Sequence, residues 1–235
     1  MWRDQSVPPF LRLKRQYAYF GGHRIGYTCV GRGPLVMLIH GLGGSADFWQ
    51  PLITQLHHRY TLLCPDLFGF GLSDKPRLTY TLDRHVGALY AVVRDAGVTE
   101  PLTLVGHSIG GVMTVALAAS GLVPVRRLAL ADSAYPNRSI NVRTELVQTG
   151  FFSLLLRWRW LAHFDHSVWQ VIWPLIRRYP VPEYLRGGWS GMMDHTVESY
   201  YSTVEQCLFA ANLDPLLSRL THYPALILHA RDDGT

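Results

Sequence analysis

Leu102-Thr103-Leu104-Val105-Gly106-His107-Ser108-Ile109-Gly110-Gly111 is a short apolar run of β type that ends in Gly-His-Ser-Ile-Gly and passes at once into a small-residue stretch of helical type. The pattern G-x-S-x-G, with a strand before it and a helix after it, is that of a nucleophile elbow. A strand reverses into a helix so sharply that the serine sits on a strained backbone. Gly106 and Gly110 fit such a turn because a Cβ at either place would collide where strand and helix crowd together. Ser108 then points its hydroxyl away from the sheet, and the start of the following helix offers unpaired N–H groups to an oxyanion.

The segments on either side read as alternating strands and helices. Gln16–Phe20 and His23–Val30 alternate around Gly21-Gly22, a two-residue hairpin signal. Leu35–Ile39 is an unbroken apolar run, as in a strand covered on both faces of a parallel sheet. It leads into His40-Gly41-Leu42-Gly43-Gly44, and Ser45 is placed to cap a helix from Ala46 to about His57. Tyr60–Cys64 reads as another strand, followed by Pro65-Asp66-Leu67-Phe68-Gly69-Phe70-Gly71-Leu72-Ser73. Leu82, Val86, Leu89 and Val93 then mark one face of a helix over Thr81–Ala96 that Gly97 stops. Leu128–Ala131 predicts a strand with Asp132 at its end, and Ala225–His229 predicts another. This order implies an α/β domain with a mainly parallel sheet, ligands binding beyond the carboxyl ends of its strands.

Between about 135 and 205 the pattern reads as helix and loop, and this stretch holds five of the seven tryptophans. An insertion so aromatic predicts a helical cap whose inner face lines an apolar pocket. The domain organisation expected is therefore 1–134 as the first part of the core, 135–205 as the cap and 206–235 as the rest of the core. Composition excludes other classes. With 48% hydrophobic and 17% charged residues in 235, the chain is long enough for one sizeable core. The net charge of +5 comes from scattered arginines, with lysine only at Lys14 and Lys75, and reads as a surface property rather than a nucleic-acid footprint. Cys29, Cys64 and Cys207 fall in no metal-binding or redox spacing. No signal peptide or membrane span is read, so a cytoplasmic location without stable membrane insertion is expected.

Taken together, the elbow, His40-Gly41-Leu42, the Asp66–Ser73 run and the strand before Asp233 resemble the α/β-hydrolase fold with a helical cap. The resemblance covers nearly the whole chain and implies more about fold than about reaction. Dehalogenases and epoxide hydrolases of this fold carry a carboxylate at the elbow, so Ser108 points to acyl transfer. The family pattern implies Ser108 as nucleophile and the backbone N–H groups of Leu42 and Ile109 as the oxyanion hole. It implies Asp233 as the acid that orients a histidine, in Ala230-Arg231-Asp232-Asp233 where the family has Gly-x-x-Asp. Asp132 is the alternative acid, with capping of nearby N–H groups the preferred reading. His107, Trp158 and Trp169 are expected at the substrate pocket. Neither metal nor organic cofactor is expected.

The family histidine belongs some tens of residues after the acid, yet all eleven histidines precede Asp233. His40 reads as a structural hydrogen bonder of the oxyanion loop. His163, His166 and His195 lie in the cap, and packing is the preferred reading for each. Without a following strand, strand seven is expected to present an apolar edge that leaves pairing with another chain open. The expectation from these features is a hydrolase of small to medium, mainly apolar esters, cut short before its histidine and nearly inactive as it stands. The alternatives are a non-catalytic binder of the same fold, or a lactone or carbon–carbon bond hydrolase using the same serine.

Overall fold

A computed structural model describes residues 11, 13–136 and 194–230 of the chain. Seven strands form one sheet: β1 (Arg15–Phe20), β2 (His23–Gly31), β3 (Leu35–Ile39), β4 (Thr61–Pro65), β5 (Leu102–His107), β6 (Val125–Ala131) and β7 (Ala225–Leu228), in the order β1-β2-β4-β3-β5-β6-β7. β1 and β2 are an antiparallel hairpin, and β2 runs antiparallel to β4. From β4 through β7 every pairing is parallel. Gly21 and Gly22 take φ values of +57° and +82°, which two-residue hairpin turns require and side chains resist.

The continuous apolar run of β3 has a simple cause. Met37, Leu38 and Ile39 are all fully buried, but Met37 and Ile39 join one core cluster while Leu38 joins the other. The two clusters cover opposite faces of the sheet, so the strand is apolar on both sides, with only Leu35 and Val36 at its start partly open to water. The larger one is built by α2 (Leu82–Asp95) and α3 (Ile109–Ala119), the smaller by α1 (Gln50–Leu56). All eleven residues of α3 are buried, which explains a segment apolar all round.

Element boundaries follow local chemistry. Thr81 caps α2 by accepting the Arg84 N–H at 3.3 Å, and Gly97 leaves it at φ +65°. Ser45 accepts the Asp47 N–H as anticipated, but the single helix expected from Ala46 is divided: Ala46–Trp49 is a 3-10 turn and α1 starts at Gln50. Pro51 accounts for the break, because it has no N–H to continue a ladder and is tolerated only in a first turn. Beyond the undescribed stretch come α4 (Val197–Val204), a π-helical turn at Glu205–Phe209 and the short α5 (Asp214–Leu217). Strand β7 is last in the sheet, and its Leu226, Ile227 and Leu228 are 53%, 64% and 53% exposed. Among the described residues no helix is long and apolar enough to cross a membrane.

Candidate active site

β5 delivers Ser108 to the carboxyl end of the sheet, and α3 begins at the next residue. Ser108 stands at φ +53°, ψ −125°, a conformation that side chains rarely adopt. Its N–H donates to Ala131 O at 3.0 Å and its carbonyl accepts the Gly111 N–H at 2.9 Å, so strand pairing and helix start hold the strain in place. The glycines have no alternative. A Cβ on Gly106 would collide with Gly110 O and Thr114 Oγ1, and one on Gly110 with Ile39 O and His40 O. Ser108 is half-buried, and its hydroxyl makes no hydrogen bond with a described residue.

The loop after β3 lies against this serine. A Cβ built on Gly41 would be 3.2 Å from Ser108 Cβ and 3.0 Å from His107 Nδ1. His40 shapes the loop from beneath. Its Nε2 accepts the Leu67 N–H at 2.9 Å, so Nδ1 carries the proton and donates to Gly41 O at 2.7 Å. Full burial holds this imidazole below its usual pKa, Asp66 opposing, and it stays neutral with both nitrogens engaged. His40 is thus a scaffold, as its place in the sequence suggested. Among the described residues neither the Leu42 N–H nor the Ile109 N–H has a hydrogen-bond acceptor. Leu42 is half-buried and Ile109 is buried at the first position of α3.

His107 stacks on Phe48, with ring centroids 4.7 Å apart and planes 27° apart. Asp132, at φ +43°, donates its N–H to Leu228 O at 2.8 Å and accepts the Ala230 N–H on Oδ1 at 3.1 Å. That is the capping role preferred for it, and His229 Nδ1 stands 3.9 Å from the same oxygen. Asp66 is fully buried. Its Oδ1 accepts the Ala46 N–H at 2.6 Å, its Oδ2 accepts the Leu72 N–H of its own turn at 3.0 Å, and Arg15 Nη1 lies 3.7 Å away. Trp158, Trp169 and Asp233 lie outside the described residues.

One group of residues escaped the sequence reading. Helix α4 opens with a capping box, in which Thr196 Oγ1 accepts the Ser199 N–H and Ser199 Oγ accepts the Thr196 N–H. The same Ser199 hydroxyl lies 2.8 Å from Gly69 O. Ser202 Oγ accepts the Tyr80 N–H at 2.7 Å, and Thr203 Oγ1 lies 3.1 Å from His85 Nε2. His195 pairs with Phe70 in an isolated antiparallel bridge. These contacts fasten α4 to the Asp66–His85 segment and bring Tyr200 onto the glycine loop, where a Cβ on Gly43 would lie 3.8 Å from Tyr200 Cε2. The ring of His195 is 5.2 Å from that of Tyr200 and 6.0 Å from that of Phe70. Burial pushes the Tyr200 phenol up to about 12, so it remains protonated, and its hydroxyl has no hydrogen-bond partner among the described residues.

A parallel sheet entered through an antiparallel hairpin, with a strained serine between β5 and α3, defines the α/β-hydrolase class. The family model for the alpha/beta hydrolase fold matches residues 34–172, and the chain belongs to that family. An uncharacterized protein of Mycobacterium tuberculosis is 31% identical over 136 residues, covering 58% of this chain and 38% of that protein. A cis-3-alkyl-4-alkyloxetan-2-one decarboxylase of Xanthomonas campestris pv. campestris is 34% identical over 110 residues, covering 43% of this chain and 37% of the enzyme. These matches therefore span under two fifths of the length of either curated relative. A hydrolase from Pseudomonas aeruginosa superposes with a TM-score of 0.68 at 20% identity, over 92% of this chain and 79% of that one. At that identity the likeness is one of fold.

Proposed function

We propose that the chain is a serine hydrolase of carboxylic esters, small to medium and mainly apolar, working through an acyl-enzyme. The observation that carries this reading is the strained Ser108 set against Gly41, with two N–H groups, of Leu42 and Ile109, that have no acceptor among the described residues. In the reaction Ser108 Oγ attacks the ester carbonyl as its proton passes to an imidazole. The tetrahedral oxyanion takes hydrogen bonds from the Leu42 and Ile109 N–H groups, each donor worth about 2.7–4 kcal/mol of barrier. The imidazole returns its proton to the departing alkoxide, and water then repeats the sequence on the acyl-serine.

Asp233 orients that imidazole in this reading. His40 is no candidate for the base, since both of its nitrogens are engaged in the fold. No histidine follows Asp233 within the 235 residues. A second reading, lactone opening by the same serine, is favoured by the Xanthomonas relative, whose name specifies a cyclic ester.

A fluorophosphonate probe tests the proposal, with the labelled peptide located by mass spectrometry. Labelling confined to Ser108, with imidazole supplied in the buffer, and absent from Ser108→Ala is expected. Failure to label Ser108 with or without imidazole, or equal labelling of Ser108→Ala, overturns the reading.

A further inference from the structure

We infer that Tyr200 is a substrate-contacting residue, whose phenol donates a hydrogen bond to an oxygen carried on the acyl chain of the bound ester. The inference rests on the ester-hydrolase reading and adds to it a substrate class: acyl groups with an ether, hydroxyl or keto oxygen a few bonds from the reacting carbonyl.

The argument is one of placement. The glycine loop touches Ser108 at Gly41 and Tyr200 at Gly43, and the Leu42 N–H lies between those two residues in the chain. An ester carbonyl held by that N–H is within reach of Ser108 at its carbon. Consecutive residues are about 3.8 Å apart, so the part of the acyl chain that continues past Gly43 meets the ring of Tyr200. The backbone that carries this tyrosine is fixed on both sides. Its preceding residue, Ser199, is fully buried and engages both the Thr196 cap and Gly69 O, while Ser202 and Thr203 fix the next turn to Tyr80 and His85. Gly69 itself, at φ +87°, leaves no room between Tyr80 and Ser199 for a side chain. A protonated phenol on a half-buried ring, carried by a fixed backbone and with no acceptor among the described residues, is a donor open to a bound ligand.

Equilibrium binding tests this without requiring turnover. Ser108→Ala protein is titrated with methyl pentanoate and with its two oxa analogues, which carry oxygen in place of carbon 3 or carbon 4. Dissociation constants are read by ligand-observed NMR. One oxa analogue is expected to bind about fivefold tighter than methyl pentanoate. Adding Tyr200→Phe, which removes a single oxygen atom, is expected to erase that preference and to leave methyl pentanoate unchanged within about twofold. The inference is overturned if neither oxa analogue is preferred, or if the preference survives Tyr200→Phe. Should none of the three esters bind, the ester reading falls and takes this inference with it. Binding without a Tyr200-dependent preference removes the inference alone.

Discussion

Replacing Ser108 by glycine is expected to make the protein more stable while abolishing its reaction with phosphonates. Ser108 sits at φ +53°, ψ −125°, where its Cβ is crowded by its own backbone. Strain of this kind costs about 1–3 kcal/mol. Glycine removes it, because the two backbone hydrogen bonds that hold the residue, to Ala131 O and from the Gly111 N–H, need no side chain. Glycine also loosens the unfolded chain, which returns about 0.4–1 kcal/mol of the gain. The net effect is a stabilisation of about 0.5–2 kcal/mol. At about 2–4 °C per kcal/mol for a chain of this size, Tm rises by roughly 1–8 °C. Ser108→Ala is the control. It keeps the Cβ and the strain, and it loses only a hydroxyl without a described partner, so it is expected within about 0.5 kcal/mol of the parent. Thermal melts of the three proteins decide the matter. A glycine variant no more stable than the alanine variant would falsify the claim that this turn stores strain.

Two further substitutions probe the scaffold. Asp66→Ala leaves the Ala46 and Leu72 N–H groups without their buried acceptor and strips Arg15 of a nearby charge. Loss of about 3–5 kcal/mol is expected in urea denaturation, and a loss below about 1 kcal/mol would show that water or another group takes the place of the carboxylate. His85 supplies a pH test. Burial, with His40 adding to it, pushes its pKa down to about 3. The folded protein therefore refuses a proton that the unfolded chain accepts below about pH 6.5, so stability is lost as pH falls from about 6.5 toward 3, at up to about 1.4 kcal/mol per pH unit from this group. His85→Gln, which can still bond Thr203, is expected to flatten the decline in unfolding free energy between pH 6 and pH 4; an unchanged slope in the variant refutes the assignment.

The sheet was legible because its demands are local. Strands covered on both faces need unbroken apolar runs, as in Leu35–Ile39, and a strand that reverses over a serine needs glycines where Gly106 and Gly110 stand. Two helical starts were legible from the caps that precede them, Ser45 and Thr81. The 3-10 turn before α1 was missed because a single proline outweighed an otherwise helical stretch. The fastening of α4 left no local trace of any kind. Ser199, Ser202, Thr203 and Cys207 reach Gly69, Tyr80 and His85 across separations of 130, 122, 118 and 127 residues, and hydroxyls and thiols of this sort look alike on a surface and in a core. Only the Thr196–Ser199 capping pair announces that a helix begins there. The same distance in sequence hid Tyr200.

Asp66 ties these parts into one argument. One of its oxygens holds the Ala46 N–H, just past the glycine loop that carries the proposed oxyanion donor. Its other oxygen holds the Leu72 N–H, in the turn that contains Gly69 and Phe70. That turn grips Ser199 and His195, and so fixes where Tyr200 meets Gly43. A single buried carboxylate therefore helps set the distance between the donors proposed to receive the reacting carbonyl and the phenol proposed to read the acyl chain. The elbow and its N–H groups are backbone features that any acyl group satisfies equally. On the proposed ester-hydrolase reading, discrimination among esters comes from side chains mounted on other segments, and its sharpness depends on how rigidly those segments are tied to the loop. Asp66→Ala is consequently expected to blunt the oxa preference measured through Tyr200 as well as to lower stability. The preference is measured at a temperature where the variant remains folded, and an undiminished value would mean that α4 is held by its own contacts alone.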